Sequence, residues 1–360
     1  MSTASLQNPA SSVFTLPTNI AEEISARADA LDRGEGESRA VLTSLAEIEA
    51  LDLGAPRNTN GELAAMAAVI SALSERCMSS AFTTWAHRMT IEYLAAGDTP
   101  YAELVLPRLR SGHTPGITGM ASAFRELAGC GSLEITATTV SDGYLLDGPI
   151  RWASNLYDDA LLVTAVRTDK GEKLIVALPL GTPGIKVGKP FSLLALGSTA
   201  SSFLALSGVH IGPENVLTRD FDDYLTTLRP TFMVLQTALC VGLARTSIAS
   251  ARDSLTGVNS VFTTEVESLT GKLALVNSTM VTTARSVGTD IAPTRAELLA
   301  LRLAGAELAT GAATVEAKTA GGKGYARNSA ASRRFREAAF IPVQSPSEAQ
   351  LRWELASCEQ

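Results

Sequence analysis

The chain has 360 residues, 46% of them hydrophobic and 5% aromatic, enough for a large buried core and too many for one small one. Its formal net charge of −7, pI near 5.2 and lack of any basic run argue against a nucleic-acid binder and against a membrane-surface protein. The four cysteines, Cys77, Cys130, Cys240 and Cys358, lack CxxC spacing, so no metal site or redox pair is expected, and reduced cytoplasmic thiols are.

Residues 1–14 are polar and small, without a charged stretch leading into an apolar one, so no signal peptide is expected. No apolar run is judged to reach the roughly 18–20 residues of a membrane span. Both readings point to a soluble, cytoplasmic protein. Asn19 with Glu22 three residues later predicts a capping box, opening a helix through Ile20, Ile24 and Leu31 that ends in the Gly-rich stretch 33–37. Leu42, Leu45 and Ile48 share one helical face, and residues 54–61 read as a loop. From Glu62 the run ELAAMAAVISALSERC is apolar nearly all round, as in a helix buried on most sides, and residues 81–95 continue in that style. Pro100 and Pro107 are expected to bracket a short helix holding Tyr101 and Leu104.

The pattern changes near Gly112. SLEITATTV alternates with period two, DGYLLDG reads as turn, strand and turn, and DALLVTAVRTDKGEKLIVALP reads as a hairpin with Asp169, Lys170 and Gly171 at its tip. SFLALSGVHIGPENVL adds one more strand and an exit loop, for a β region of roughly 100 residues and about six to eight strands. Long apolar helical patterns return after Asp222, beginning with RPTFMVLQTALCVGLARTSIASARDSL, and predict an antiparallel bundle. Helices and strands that are segregated rather than alternating indicate an α+β protein. The expected units are an N-terminal helical domain (1–112), a middle β-barrel or sandwich domain (113–222) and a C-terminal helical bundle (223–360).

Four strings in this order resemble the acyl-CoA dehydrogenase superfamily across nearly the whole chain. DGYLLDGPIRWASN resembles the stretch that lines the flavin there. PGIKVGKPFSLLALGSTASSFLALSGVHIGPENVL resembles the second β half, TALCVGLARTSIASA the first bundle helix, and TAGGKGYARNSAASRRFREA the GG-x-G-Y…R-x-x-R-D-A signature. The resemblance implies FAD as cofactor. Trp152 would lie against the isoalloxazine ring, with Ser154 near its reactive edge, Thr118 under the pyrimidine and Asn155 also among the cofactor-binding residues, although Gly119 follows where the family often has Glu. Gly321, Gly322 and Gly324 would approach the dinucleotide end, which implies a homodimer or homotetramer with the cofactor between subunits.

The same alignment exposes departures. In FREAAFIPVQSPSEAQLRW, Arg336 and Glu337 fall on the family's Arg–Asp pair, and Ser345 then falls on the usual catalytic Glu. The alternative position, on the first bundle helix, reads LRPTFMVLQTALC, with no carboxylate. Removing an α-proton from an acyl thioester requires a base of tunable pKa, and a lone serine does not supply one near pH 7. The family's Arg-x-x-Phe-Gly loop, which meets the pyrophosphate, is replaced by SLTGVNSVFTTEVESLTG, and its Gln before GG-x-G-Y by Lys318. Losing a charge-assisted phosphate contact weakens FAD more than FMN, so FMN is the alternative cofactor.

Of the three histidines, His87 is the candidate for a proton-donating role, as in the superfamily's flavin monooxygenases; His113 and His210 are assigned none. The expected function is a flavin-dependent oxidoreductase acting on an acyl thioester or related small organic substrate, with the standard base absent. The alternatives are a two-component flavin monooxygenase served by a separate flavin reductase, or a non-catalytic homologue.

Overall fold

The computed structural model describes residues 14–58 and 61–358. The N-terminal stretch read as carrying no signal peptide lies, up to residue 13, outside the described residues, as do positions 59 and 60 of the loop 54–61. Five helices come first: α1 (Thr18–Asp32), α2 (Ala40–Ala46), α3 (Leu63–Ser74), α4 (Met78–Gly97) and α5 (Pro100–Arg110). Two local expectations need correction. Pro17, not Asn19, stands at the N-cap of α1, with no side-chain cap, which puts Asn19 inside the first turn. Pro107 lies inside α5 rather than beyond it; its fixed φ suits a helix, and only one backbone hydrogen bond is forfeited. Thr99 caps that helix by accepting from the Ala102 N–H at 3.1 Å.

The middle of the chain forms one sheet: β1 (Gly116–Gly119), β2 (Thr136–Val140), β3 (Gly143–Ala153), β4 (Leu161–Thr168), β5 (Lys173–Pro179), β6 (Ile185–Val187), β7 (Ser202–Ile211) and β8 (Val216–Thr218). The order is β6-β7-β3-β2-β4-β5-β8, with β1 pairing parallel to β4. The predicted hairpin is β4–β5, paired from Leu161↔Pro179 to Arg167↔Lys173. DGYLLDG is not turn, strand and turn. Strand β3 continues through Gly148, which has φ +139°, and the register with β7 shifts between Leu146 and Gly148. A Cβ at Gly148 would stand 2.4 Å from the Glu134 carbonyl, so only glycine lets the strand pass there. Helix α6 (Ala121–Ala128), between β1 and β2, was not anticipated.

The sheet's alternation divides its side chains between two cores. Leu162, Val166, Leu174, Val176 and Leu204 pack with each other inside the β region. Val163, Ala165, Ile175 and Ala177 join the large helical core instead. That core also takes in the C-terminal helices α7 (Phe221–Asp253), α8 (Thr263–Ser286), α9 (Arg295–Tyr325), α10 (Ala330–Phe340) and α11 (Glu348–Cys358). Helix α7 crosses α3 at Gly242, where an added Cβ would meet the Ser71 carbonyl at 2.1 Å. Ser71 and Ser74 hydroxyls donate to the Ala238 and Leu239 carbonyls across this crossing, at 3.1 and 2.6 Å.

By length and composition α7 and α9 would suffice to cross a bilayer, contrary to the expectation from sequence. However, 83% and 67% of their most apolar windows are buried inside the protein, so core packing accounts for their hydropathy.

Candidate active site where the sheet meets the bundle

The end of β3 supplies the first wall. Trp152 is 50% exposed and lies against Phe191, with ring centroids 4.5 Å apart. Ser154 is buried and joins a row of hydroxyls: Ser154 Oγ is 2.7 Å from Ser201 Oγ, which is 2.8 Å from Thr199 Oγ1. Thr199 donates to the Leu196 carbonyl at 2.8 Å. Each hydroxyl has one proton, so Ser201 donates to Thr199 and Ser154 to Ser201, which leaves Ser154 Oγ with only lone pairs to offer.

Asn155 has φ +62° and is fully buried. Its Nδ2 donates to the Thr83 and Gly116 carbonyls, both at 3.0 Å, tying β3 to α4 and β1, while its Oδ1 has no partner. Thr118 hydrogen-bonds the buried Tyr93 hydroxyl at 3.1 Å. Burial pushes the Tyr93 phenol well above its ordinary value.

Trp152 and Ser154 face residues from the C-terminal segment across a cavity of about 190 Å³, whose other walls include Phe82, Phe340, Val343 and Arg336. No carboxylate or histidine lines it. Behind Phe82 and Phe340, which meet edge to face at 5.0 Å, Trp85 and Phe232 fill the interior. A separate groove of about 900 Å³ between α3 and α8 touches none of these residues.

The Arg–acid pair on α10 is split between two tasks. Arg336 grips Asp32 of α1 through both terminal nitrogens, at 2.8 and 2.6 Å. Glu337 is buried against the N-terminus of α4 and accepts the Met78 N–H. Burial raises its pKa, against the pull of Arg333.

Beyond α10, the turn holding Ser345 is fastened to the bundle. Gln236 of α7 donates from Nε2 to the Ser345 carbonyl at 2.8 Å. Arg302 of α9, fully buried, donates to Gln236 Oε1 at 3.1 Å, the Ile341 carbonyl at 3.1 Å and Gln344 Oε1 at 3.4 Å. Its fourth contact is Cys240 Sγ at 3.7 Å, so all four acceptors are neutral. Ser345 Oγ and Gln344 Nε2 are buried without partners.

His87 does not face the cavity. Its Nε2 is 3.1 Å from the Leu109 carbonyl and its Nδ1 accepts the Gly116 N–H at 3.0 Å, which fixes the neutral Nε2–H tautomer. Complete burial, assisted by Arg88, lowers its pKa to about 4, so near neutral pH it is the uncharged imidazole, with its one N–H committed to the Leu109 carbonyl. His113 and His210 are exposed and hydrogen-bond Ser111 and Asp142.

Gly321 takes φ +57° and ψ −146°, breaking α9 with a kink. Gly321 and Gly322 are exposed, Gly324 is buried, and none of the three lines the cavity. Lys318 is engaged by Glu265 at 2.9 Å. Sequence reasoning missed Ser201, Thr199, Phe82, Phe340 and Gln236. The polar run GSTASS just before β7 was the available signal for the two hydroxyls.

No family model matches the chain. Benzylmalonyl-CoA dehydrogenase from Aromatoleum aromaticum is 25% identical over 242 residues, covering 64% of this chain and 63% of that protein, so the match spans less than two thirds of that relative. The butyryl-CoA dehydrogenase structure from Megasphaera elsdenii superposes with a TM-score of 0.83 at 17% identity, covering 96% of this chain and 100% of that one. Dibenzothiophene monooxygenase from Paenibacillus sp. A11-2 gives a TM-score of 0.78 at 15% identity and 93% coverage of both chains. The fold is the acyl-CoA dehydrogenase fold. The curated relatives and the structural neighbours are acyl-CoA dehydrogenase proteins, which supports the superfamily that the strings in the sequence led us to expect.

Proposed function

We propose that this chain is a flavin-dependent oxidoreductase of acyl-CoA dehydrogenase type, acting on an acyl thioester or related small organic substrate without a base in either usual position. One observation carries this reading. Two strings far apart in sequence, WASN at the end of β3 and the segment preceding Ser345, meet around a single apolar cavity. Those walls suit a flavin ring. Trp152 presents a half-exposed flat face, Ser154 offers a fixed polar edge, and Leu193, Leu194, Ala339 and Val343 add aliphatic walls. When bound, flavin would supply the redox chemistry. FAD is the expected cofactor and FMN the alternative.

A second reading is favoured by the cavity's own composition. None of its lining residues can take up a proton near neutral pH, which weighs against α-proton abstraction at this wall. A two-component monooxygenase on the same fold, supplied by a separate flavin reductase, needs no such base. We further read the protein as cytoplasmic and as a homodimer or homotetramer; sedimentation at micromolar concentration checks the assembly, and a monomer would count against it.

The deciding test is the visible absorption of the purified protein, followed by chromatography of any released yellow cofactor. Bound flavin, with dye reduction by an acyl-CoA, supports the first reading. Oxygen-dependent product formation only with a reductase supports the second. A colourless protein that takes up neither FAD nor FMN refutes both and leaves a non-catalytic homologue.

A further inference from the structure

Beside the aromatic cavity lies a second, polar cleft of about 360 Å³, between α1, the loop 191–197 and the start of α10. The two spaces share Leu193, Leu194 and Arg336 as a common wall. Four arginines line the cleft (Arg33, Arg327, Arg333 and Arg336), against two carboxylates, Asp29 and Asp32. Asp32 is taken up by Arg336, and Arg33 pairs outward with Glu35.

Arg333 is the unusual member. It is only 7% exposed, yet its Nε and Nη1 have no hydrogen-bond partner, and Nε is 3.7 Å from Asp29, beyond hydrogen-bond reach. Arg336 Nε, one helical turn on, is also buried and unpartnered. Glu337 lies close enough to influence Arg333 electrostatically, but its carboxyl is directed to the N-terminus of α4. Buried guanidinium N–H groups without acceptors are costly, and an anion is the ligand that removes the cost. The N-terminus of the 11-residue α10, capped by Ser329, opens on the same cleft and adds partial positive charge.

We propose that this cleft is a phosphate subsite, in which Arg333, Arg336 and the α10 N-terminus hold the phosphoryl end of a ligand whose ring lies in the adjoining aromatic cavity. The ligand class is a ring-bearing phosphate monoester or diphosphate. The proposal rests on the flavin reading for the identity of the ring but not for the anion. It also places the phosphate on the same chain as the ring.

The test titrates flavin-free protein with riboflavin, FMN and FAD, following flavin fluorescence, and separately with inorganic phosphate and pyrophosphate by calorimetry against chloride of equal ionic strength. We expect the phosphorylated flavins to bind about tenfold to a hundredfold tighter than riboflavin. Arg333→Ala should reduce FMN affinity to the riboflavin level while leaving riboflavin unchanged, and Arg333→Lys should recover part of the loss. Phosphate binding without any flavin binding would uphold the subsite and overturn the flavin reading. Flavin binding with no preference for phosphorylated forms, and no response to phosphate or pyrophosphate, would overturn the subsite and leave the flavin reading standing. If Arg333→Ala does not fold, the comparison of riboflavin with FMN on the unaltered protein decides alone.

Discussion

His87 provides a quantitative check on how the N-terminal helices meet the sheet. Its ring bridges the Leu109 carbonyl and the Gly116 N–H, and burial lowers its pKa from 6.5 to about 4. The unfolded chain therefore binds a proton between these values that the folded chain refuses. Full stability is present above pH 6.5 and is lost as pH falls toward 4. With these two pKa values, moving from pH 7 to pH 5 costs about 2 kcal/mol from this residue alone. His87→Gln retains donor and acceptor atoms but cannot titrate, so it should be less stable at pH 7 and lose about 2 kcal/mol less on acidification. Urea unfolding of both proteins at the two pH values measures this, and the carboxylates, common to both, cancel in the difference. Equal losses for the two proteins would refute the buried neutral tautomer and reopen His87 as a proton donor.

Trp152→Ala should remove the flat wall of the cavity and weaken flavin retention about tenfold or more, measured by equilibrium dialysis; unchanged retention would remove Trp152 from the site. Gly242→Ala should destabilise the α3–α7 crossing by at least about 2 kcal/mol in denaturant titration, because the new methyl would overlap the Ser71 carbonyl. Arg334→Met should cost about 3–5 kcal/mol by the same measurement, since it leaves Glu316, 1% exposed and gripped by two guanidinium nitrogens, without its cation.

What was legible in the sequence was what local pattern encodes: the helix–sheet–helix order, the β4–β5 hairpin with its Asp-Lys-Gly tip, and the long apolar bundle helices. Helix α6 was hidden because glycines on both sides made its short run read as β punctuation. The buried Ala123 and Phe124 and the left-handed Gly129 that ends it were the missed signals. The continuation of β3 through Gly148 depends on the close Glu134 carbonyl, a contact no local string displays. Trp152 and Ser154 were found through their motif and do line the cavity. Asn155 and His87 belong to buried ties between α4, β1 and β3, and a helix histidine gives no hint in sequence that both ring nitrogens will meet backbone.

The departures at the C-terminal turn fit together in space. Ser345 and the first bundle helix were separately found to lack a carboxylate, and the structure brings them into contact, since Gln236 of that helix donates to the Ser345 carbonyl. The same Gln236 accepts from Arg302, a fully buried guanidinium whose contacts are all neutral. A carboxylate in place of Gln236 would have the buried Arg302 guanidinium at hydrogen-bond distance, and its pKa would be pulled down, away from the range a proton-abstracting base needs. The Gln236 amide instead lets Arg302 act as a clasp, closing α7, α9 and the turn around one another. Gln236 and Arg302 thus hold the turn through hydrogen bonds to neutral groups, next to a cavity whose lining residues take up no proton near neutral pH.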